Sequence, residues 1–409
     1  MASKTTSPPG GAVVLPGYAE LLAEARDRTL ALVEPLSRED LERQHSPLLS
    51  PLVWDLGHIA AFEDLWVCER TGLDLLRPEL AEVYDATMTP RARRSEIPFL
   101  REPEAREYME AVRERALGVL DRVGGFHLEM LLQHEHQHNE TMLQALKLAQ
   151  PGVFAPARRS FPAPAAVEEG MVLVEGGVFE MGAGGDGFAY DNERPCHEVE
   201  LAAFEIDRLP VTNGAFAAFI EDGGYARRDL WTEEGWDWRS AEGVERPLYW
   251  NADGTMRDFE RVEPVDPALP VMHVSAHEAD AFARWRGCRL PTEAEWERAA
   301  AGARPGNVDQ LGFGPAPVGT HPECASEHGV LGLLGDAWEW TSSAFGGYPG
   351  FEAYPYAEYS EIFFGDDYRV LRGASWATRR RVARTTFRNW DYPRRRQLFA
   401  GFRCAREAT

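Results

Sequence analysis

From Tyr18 to Gln150 apolar and small residues return at spacings of three and four, beginning with Leu21, Leu22, Ala25, Thr29, Leu32 and Val33. That spacing puts one buried stripe on an α-helix. Long Glu/Arg-rich stretches follow, and the pattern predicts helices near residues 18–34, 51–70, 104–122 and 126–149. Four helices of this length in residues 18–150 make an antiparallel bundle, whose facing helices can hold a metal in the core. Pro151-Gly152, Pro156, Pro162 and Pro164 then end the helical pattern, so residues 151–169 read as a linker. Over residues 170–409 the texture changes. Short apolar runs such as Met171-Val172-Leu173-Val174 and Tyr368-Arg369-Val370-Leu371 alternate with Gly, Pro, Asn and Asp, and helices are expected only near 213–222, 275–286 and 292–301. The fold class is α+β with two domains, a four-helix bundle followed by an irregular, loop-rich domain. Residues 1–17, rich in Ser, Thr, Pro and Gly, are expected to be disordered.

Composition narrows the function classes. A formal net charge of −23 repels phosphate, so neither a nucleic acid nor an anionic membrane is an expected partner. The five cysteines show no C-x-x-C spacing, which suits a reducing cytoplasm better than a disulfide framework. No window approaches 18 apolar residues, and the N-terminus lacks the apolar core of a signal peptide. A soluble cytoplasmic protein acting on small molecules is the expectation.

The chemistry is concentrated in His134-Glu135-His136-Gln137-His138. His134 and His138 lie one turn apart on one helix face and can reach one ion. The same letters satisfy H-E-x-x-H, the zinc protease pattern in which the Glu is the general base. His136 points about 200° away from His134, and His127 lies about 10 Å back along the axis, so neither shares the pair's site. His45 is a weaker candidate than His58, which sits in the apolar helical segment Trp54 to Glu63, where an unbonded imidazole is costly. Glu135 and Glu140 read by default as solvated helix charges. Three neutral imidazoles leave a divalent ion its full charge and, in octahedral geometry, three open positions. That favours Fe(II) holding a thiolate, an organic substrate and O₂ together, while tetrahedral zinc remains compatible with the ligand type.

The run Ser50 to Ile59, joined to His134 to Met142, resembles the DinB-like bundle of the ergothioneine-type sulfoxide synthases. The second half is similar to their formylglycine-generating-enzyme-like (C-type-lectin-like) domain. Its marks are Gly176 to Gly182, Arg289 to Glu297, Leu334 to Thr341, Leu371 to Trp376 and Gly401 to Cys404. Formylglycine-generating enzymes bind copper through two cysteines, and the corresponding positions here are Thr378 and Ala383, which cannot make a thiolate site. The resemblance therefore moves the expected chemistry to the histidines of the bundle.

The resemblance implies that Fe(II), on His58, His134 and His138, and O₂ as co-substrate join a cysteine sulfur to the imidazole C2 of hercynine (trimethylated histidine), leaving a sulfoxide. It implies that Asn389 and Trp390 hold hercynine, with Gln137 reaching its imidazole through water. Arg91 and Arg94 would clamp the carboxylates of γ-glutamylcysteine, completed by Asp391 and Arg395. Tyr356 would be the proton donor during oxygen activation and Tyr359 its neighbour. Phe62 stands where some relatives carry a Gln, so a water-mediated contact is lost or replaced. Rival readings keep the chemistry but change the substrate, to cysteine, to histidine as in ovothiol synthesis, or to a selenosugar as in selenoneine synthesis. A zinc hydrolase built on Glu135 and a non-catalytic binding protein are rivals of different classes.

Overall fold

The structure, a computed structural model, describes residues 17–185 and 187–408. The expected disorder of residues 1–17 therefore falls, Gly17 apart, outside the described residues. The chain divides into two compact units, Met1–Ala145 and Leu146–Thr409.

The first unit is helical: α1 Tyr18–Val33, α2 Arg38–Glu42, α3 Leu52–Glu63, α4 Glu104–Leu117 and α5 Gly125–Leu148, whose last turn belongs to the second unit. α4 shows why these segments are helices, since its buried residues Ala105, Tyr108, Met109, Val112 and Ala116 fall on one stripe. α3 has no such polarity. Leu52 to Ala60 is buried without a break, and the helix packs along α4. The helix expected over 51–70 ends at Glu63 and continues as a π-helical turn, Asp64–Cys68, and a 3₁₀ turn, Glu69–Thr71, that Gly72 closes at φ 91°. The short α2, which periodicity does not reveal, is capped by Ser37, whose side chain accepts from the Asp40 N–H.

After the last turn of α5, the second unit continues through residues 149–170, which hold no helix or strand. Its elements are β1 Met171–Val174, β2 Gly177–Met181, β3 His197–Leu201, β4 Phe204–Asp207, α6 Asn213–Glu221, α7 Glu233–Glu242, β5 Thr255–Asp258, β6 Arg261–Pro264, α8 Ala276–Trp285 and α9 Glu293–Ala299. They are followed by β7 Trp338–Phe345, β8 Gly365–Gly373, β9 Arg388–Asp391, β10 Ala400–Gly401 and β11 Ala405–Glu407. Capping boxes at Ser275 and Thr292 start α8 and α9 close to where the sequence predicts them. α7 is missed because its Trp-Asp-Trp run and Gly235 give no apolar stripe.

The sheets are small: β1-β4-β11, β10-β7-β8-β9 and the hairpins β2-β3 and β5-β6. The motif residues are structural. Glu339 of β7 accepts from Trp296 Nε1 of α9 and from Arg403 Nε and Nη2, each at 2.7 Å, so three sequence signatures close on one buried carboxylate. β9 lies antiparallel to β8, with Asn389 opposite Leu371, Trp390 opposite Val370 and Asp391 opposite Arg369. This register fixes the substrate-binding residues expected on β9. No helix among the described residues is long and apolar enough to cross a membrane.

Candidate active site

In the first unit, α3 delivers His58 and α5 delivers His134 and His138, and one nitrogen of each lies within 4.8 Å of the others. The ring centroids are 5.0 Å (His58 to His134), 4.7 Å (His58 to His138) and 4.5 Å (His134 to His138) apart. Two of the rings are oriented from behind. His58 Nδ1 is 2.6 Å from the Tyr84 carbonyl and His138 Nδ1 is 3.0 Å from Asp55 Oδ1. Donating an N–H there commits each Nδ1 and leaves Nε2 as the lone pair facing inward, the arrangement that metal-binding histidines use. His58 Nε2 accordingly faces His134 Nε2 at 3.1 Å. Burial, reinforced by the neighbouring imidazoles, holds His58 and His134 well below the usual histidine pKa, so both are neutral, as ligation requires. The donor set fits a divalent ion of nitrogen preference and leaves coordination positions open.

Phe62 stacks on His134 with centroids 3.7 Å apart and planes 9° from parallel. It gives the cluster an aromatic wall on that side. His136, His127 and His45 do not join the cluster. His127 stacks on Trp66, its pKa pushed down to about 4 by burial and by Arg70, and His45 Nε2 meets the Asp40 carbonyl at 2.9 Å.

The reading of Glu135 as a solvated charge is corrected. Glu135 is 1% exposed; it accepts from Arg26 Nε at 2.9 Å, Thr29 Oγ1 at 2.8 Å and Arg113 Nη2 at 3.3 Å. Glu63 pairs with the same two arginines, at 2.9 Å to Arg26 Nη2 and 2.5 Å to Arg113 Nε. Burial pushes the Glu135 pKa up, but Arg26 and Arg113 outweigh it and hold the carboxyl below its ordinary value. One residue from His134 means about 100° around the helix, so Glu135 faces α1 and α4 rather than the histidines. Glu140 is likewise buried.

Arg91 is exposed, while Arg94, in the same 3₁₀ turn Arg91–Glu96, is buried. Its guanidinium donates to Thr89 O (2.9 Å), Ser50 Oγ (2.6 Å) and Ala86 O (3.4 Å), all neutral acceptors. It has no ion-pair partner among the described residues. Burial and the neighbouring Arg91 push its pKa down to about 9, against the field of Asp55, so at neutral pH it is a buried cation whose hydrogen-bond partners are all neutral. Gln137 is half-buried on α5, about 60° around the helix from His134.

In the second unit, Tyr356 and Tyr359 lie edge to face with centroids 6.1 Å apart, and Tyr359 stacks on the buried Tyr190 at 4.2 Å. Trp390 stacks on Phe345 at 4.2 Å and receives the edge of Tyr359 at 5.9 Å. The structure therefore brings Tyr356, Tyr359 and Trp390 into one aromatic cluster. Asn389 Oδ1 accepts from the Trp390 N–H at 2.9 Å, and Asp391 Oδ1 accepts from the Tyr392 N–H at 2.7 Å with Arg395 Nε at 3.6 Å. Thr378 accepts the Ser375 N–H, and Ala383 is packed in an apolar cluster.

Sequence reasoning passed over Asp55, Tyr84 and Tyr190. Asp55 carried a signal, an acid three residues before His58 in an otherwise apolar helix. Tyr84 acts through its carbonyl, which no side-chain pattern announces.

Comparison with known proteins agrees with both halves. Residues 21–142 match the DinB superfamily and residues 157–408 the sulfatase-modifying factor enzyme 1-like domain. The hercynine oxygenase of Mycolicibacterium thermoresistibile is 44% identical, covering 96% of each chain, and that of Mycobacterium tuberculosis is 44% identical over 94% of this chain and 97% of its own. The formylglycine-generating enzyme of Streptomyces coelicolor is 32% identical over 62% of this chain and 95% of its own. An enzyme with a three-histidine cluster, a DinB bundle and a sulfatase-modifying-factor domain in this order, the chain belongs to the hercynine oxygenase family.

Proposed function

We propose that this chain, with the bundle at residues 18–150 and the second domain at 170–409, is a non-haem Fe(II) sulfoxide synthase of ergothioneine biosynthesis. It would join the sulfur of γ-glutamylcysteine to the imidazole C2 of hercynine. One S–H, one C–H and O₂ become a C–S bond, a sulfoxide oxygen and one water, so atoms and electrons balance. The observation that carries the reading is the convergence of three imidazoles while Glu135 is tied into a buried ion-pair network. A carboxylate held by Arg26, Thr29 and Arg113 is unavailable as the base of a zinc hydrolase. Bound on His58, His134 and His138, Fe(II) would supply O₂ reduction and a position for the thiolate.

The remaining residues bind and orient. The trimethylammonium of hercynine offers no N–H, so it is recognised by aromatic faces. The cluster of Trp390, Phe345, Phe363 and Tyr359 supports assigning Trp390 to it, with Asn389 and Gln137 for the polar end. γ-Glutamylcysteine brings two carboxylates, and a buried guanidinium lacking an anion is what one of them would neutralise. Arg94 is such a group, and Arg91, Asp391 and Arg395 are the further residues we assign to this donor. Tyr356 is assigned the proton donor and Tyr359, held against Tyr190, its positioning neighbour. A cytoplasmic setting accompanies a thiol substrate, and all five cysteines are free.

Turnover with each donor tests the assignment. Wild-type protein is expected to prefer γ-glutamylcysteine over cysteine, and Arg94→Ala to raise KM for γ-glutamylcysteine by about tenfold or more while leaving KM for hercynine within about twofold. Unchanged γ-glutamylcysteine kinetics in Arg94→Ala and Arg395→Ala would refute the donor.

A further inference from the structure

Trp54 is fully buried in α3, and its indole touches two functional groups. The Arg94 guanidinium carbon lies 3.6 Å from the indole centroid, and the His58 imidazole stacks on the indole at 4.8 Å with planes 12° apart. Trp54 Nε1 donates to the Val83 carbonyl at 3.1 Å, and the next carbonyl, that of Tyr84, holds His58 Nδ1. Guanidinium, indole and imidazole thus form a contiguous file that is pinned to one stretch of backbone. A leucine would fill the core without providing either the flat face or the donor.

The geometry points to Trp54 as a positioning residue that couples carboxylate binding at Arg94 to metal binding at the histidine cluster. The inference rests on the proposed Fe(II) and donor sites. A divalent ion on His58 and a buried cation without an ion-pair partner one indole away raise each other's energy, the more so because all three side chains are buried. A carboxylate placed on Arg94 cancels that repulsion, so donor and metal bind with positive linkage, and the linkage is reciprocal. Trp54 makes this possible by denying Arg94 the freedom to swing into solvent.

The test is Co(II) titration of the full-length protein, followed by its visible absorption, with and without γ-glutamylalanine. This dipeptide keeps both carboxylates and lacks the thiol, so it cannot reach the metal through sulfur. In wild type the dipeptide is expected to tighten Co(II) binding by about fivefold or more. Trp54→Phe should keep most of that gain and Trp54→Leu should lose it. Arg94→Gln should bind Co(II) more tightly than wild type when no dipeptide is present, and gain nothing from it. Because Arg94→Gln predicts tighter binding, a variant that is merely misfolded does not imitate it, and it decides the question should Trp54→Leu fail to fold. Weaker Co(II) binding by Arg94→Gln, or full linkage in Trp54→Leu, overturns the inference while leaving the proposed function standing. Wild-type protein that binds Co(II) but no dipeptide refutes the donor assignment and the linkage with it.

Discussion

Asp55 sets the geometry of His138 from behind. Its Oδ1 takes the Nδ1 proton at 3.0 Å, in a helix where it is 1% exposed, so the imidazole cannot rotate without stranding a buried carboxylate. Loss of such an outer partner weakens metal affinity by roughly 10- to 100-fold. Asp55→Ala is expected to show that loss in Fe(II) or Co(II) titration, and Asp55→Asn, which keeps an acceptor, to recover part of it. Equal affinity in Asp55→Ala and wild type would remove Asp55 from the site. At this scale the sequence was informative where helix phase decides the answer. The one-turn spacing of His134 and His138 and the placement of His58 in an apolar helix led to the cluster, and the same phase argument separated His136. Glu135 was misread because phase says which way a side chain points and not what it meets. Its partners Arg26, Thr29 and Arg113 lie 109, 106 and 22 residues away.

Four helices meet through that network. Arg26 of α1, Glu63 of α3, Arg113 of α4 and Glu135 of α5 make a closed set of two cations and two anions, at 2.5 to 3.3 Å. Glu63 is one residue from Phe62 and Glu135 one residue from His134, so the network fixes the phase of α3 against α5 and with it the spacing of the histidines. Breaking a buried ion pair from one side costs on the order of 3 kcal/mol. Glu135→Gln is expected to lower stability by about that much in urea unfolding, while the folded fraction still takes up metal. A variant of wild-type stability that had lost all turnover would instead restore Glu135 as a catalytic base. The long helices of the bundle were legible from periodicity, α2 and α7 were not, and α8 and α9 carry Ser275 and Thr292 at their caps. The π-helical turn after Glu63 was not, because its residues continue the helical composition and only the backbone pairing changes. The small sheets of the second unit depend on pairings between distant strands, such as β4 with β11, that no local pattern encodes.

For the whole molecule, charge and family membership frame the chemistry. A chain of net charge −23 repels a substrate with two carboxylates, so binding one demands local, fixed cations, and buried Arg94 is such a group. The second unit matches the sulfatase-modifying factor enzyme 1-like domain, and its Thr378 and Ala383 are both buried and carry no thiol. The metal chemistry proposed for this chain rests on the histidines of α3 and α5, whose nitrogens converge. The direct test is to load the metal-free protein with Fe(II) under anaerobic conditions, then admit O₂ with hercynine and γ-glutamylcysteine and follow oxygen uptake and product mass. The account predicts one O₂ consumed per product, and a product containing both substrates less two hydrogens plus one oxygen, with His58→Ala, His134→Ala and His138→Ala each abolishing it. Equal product formation with Zn(II) in place of Fe(II), or no O₂ uptake when both substrates are present, would contradict it.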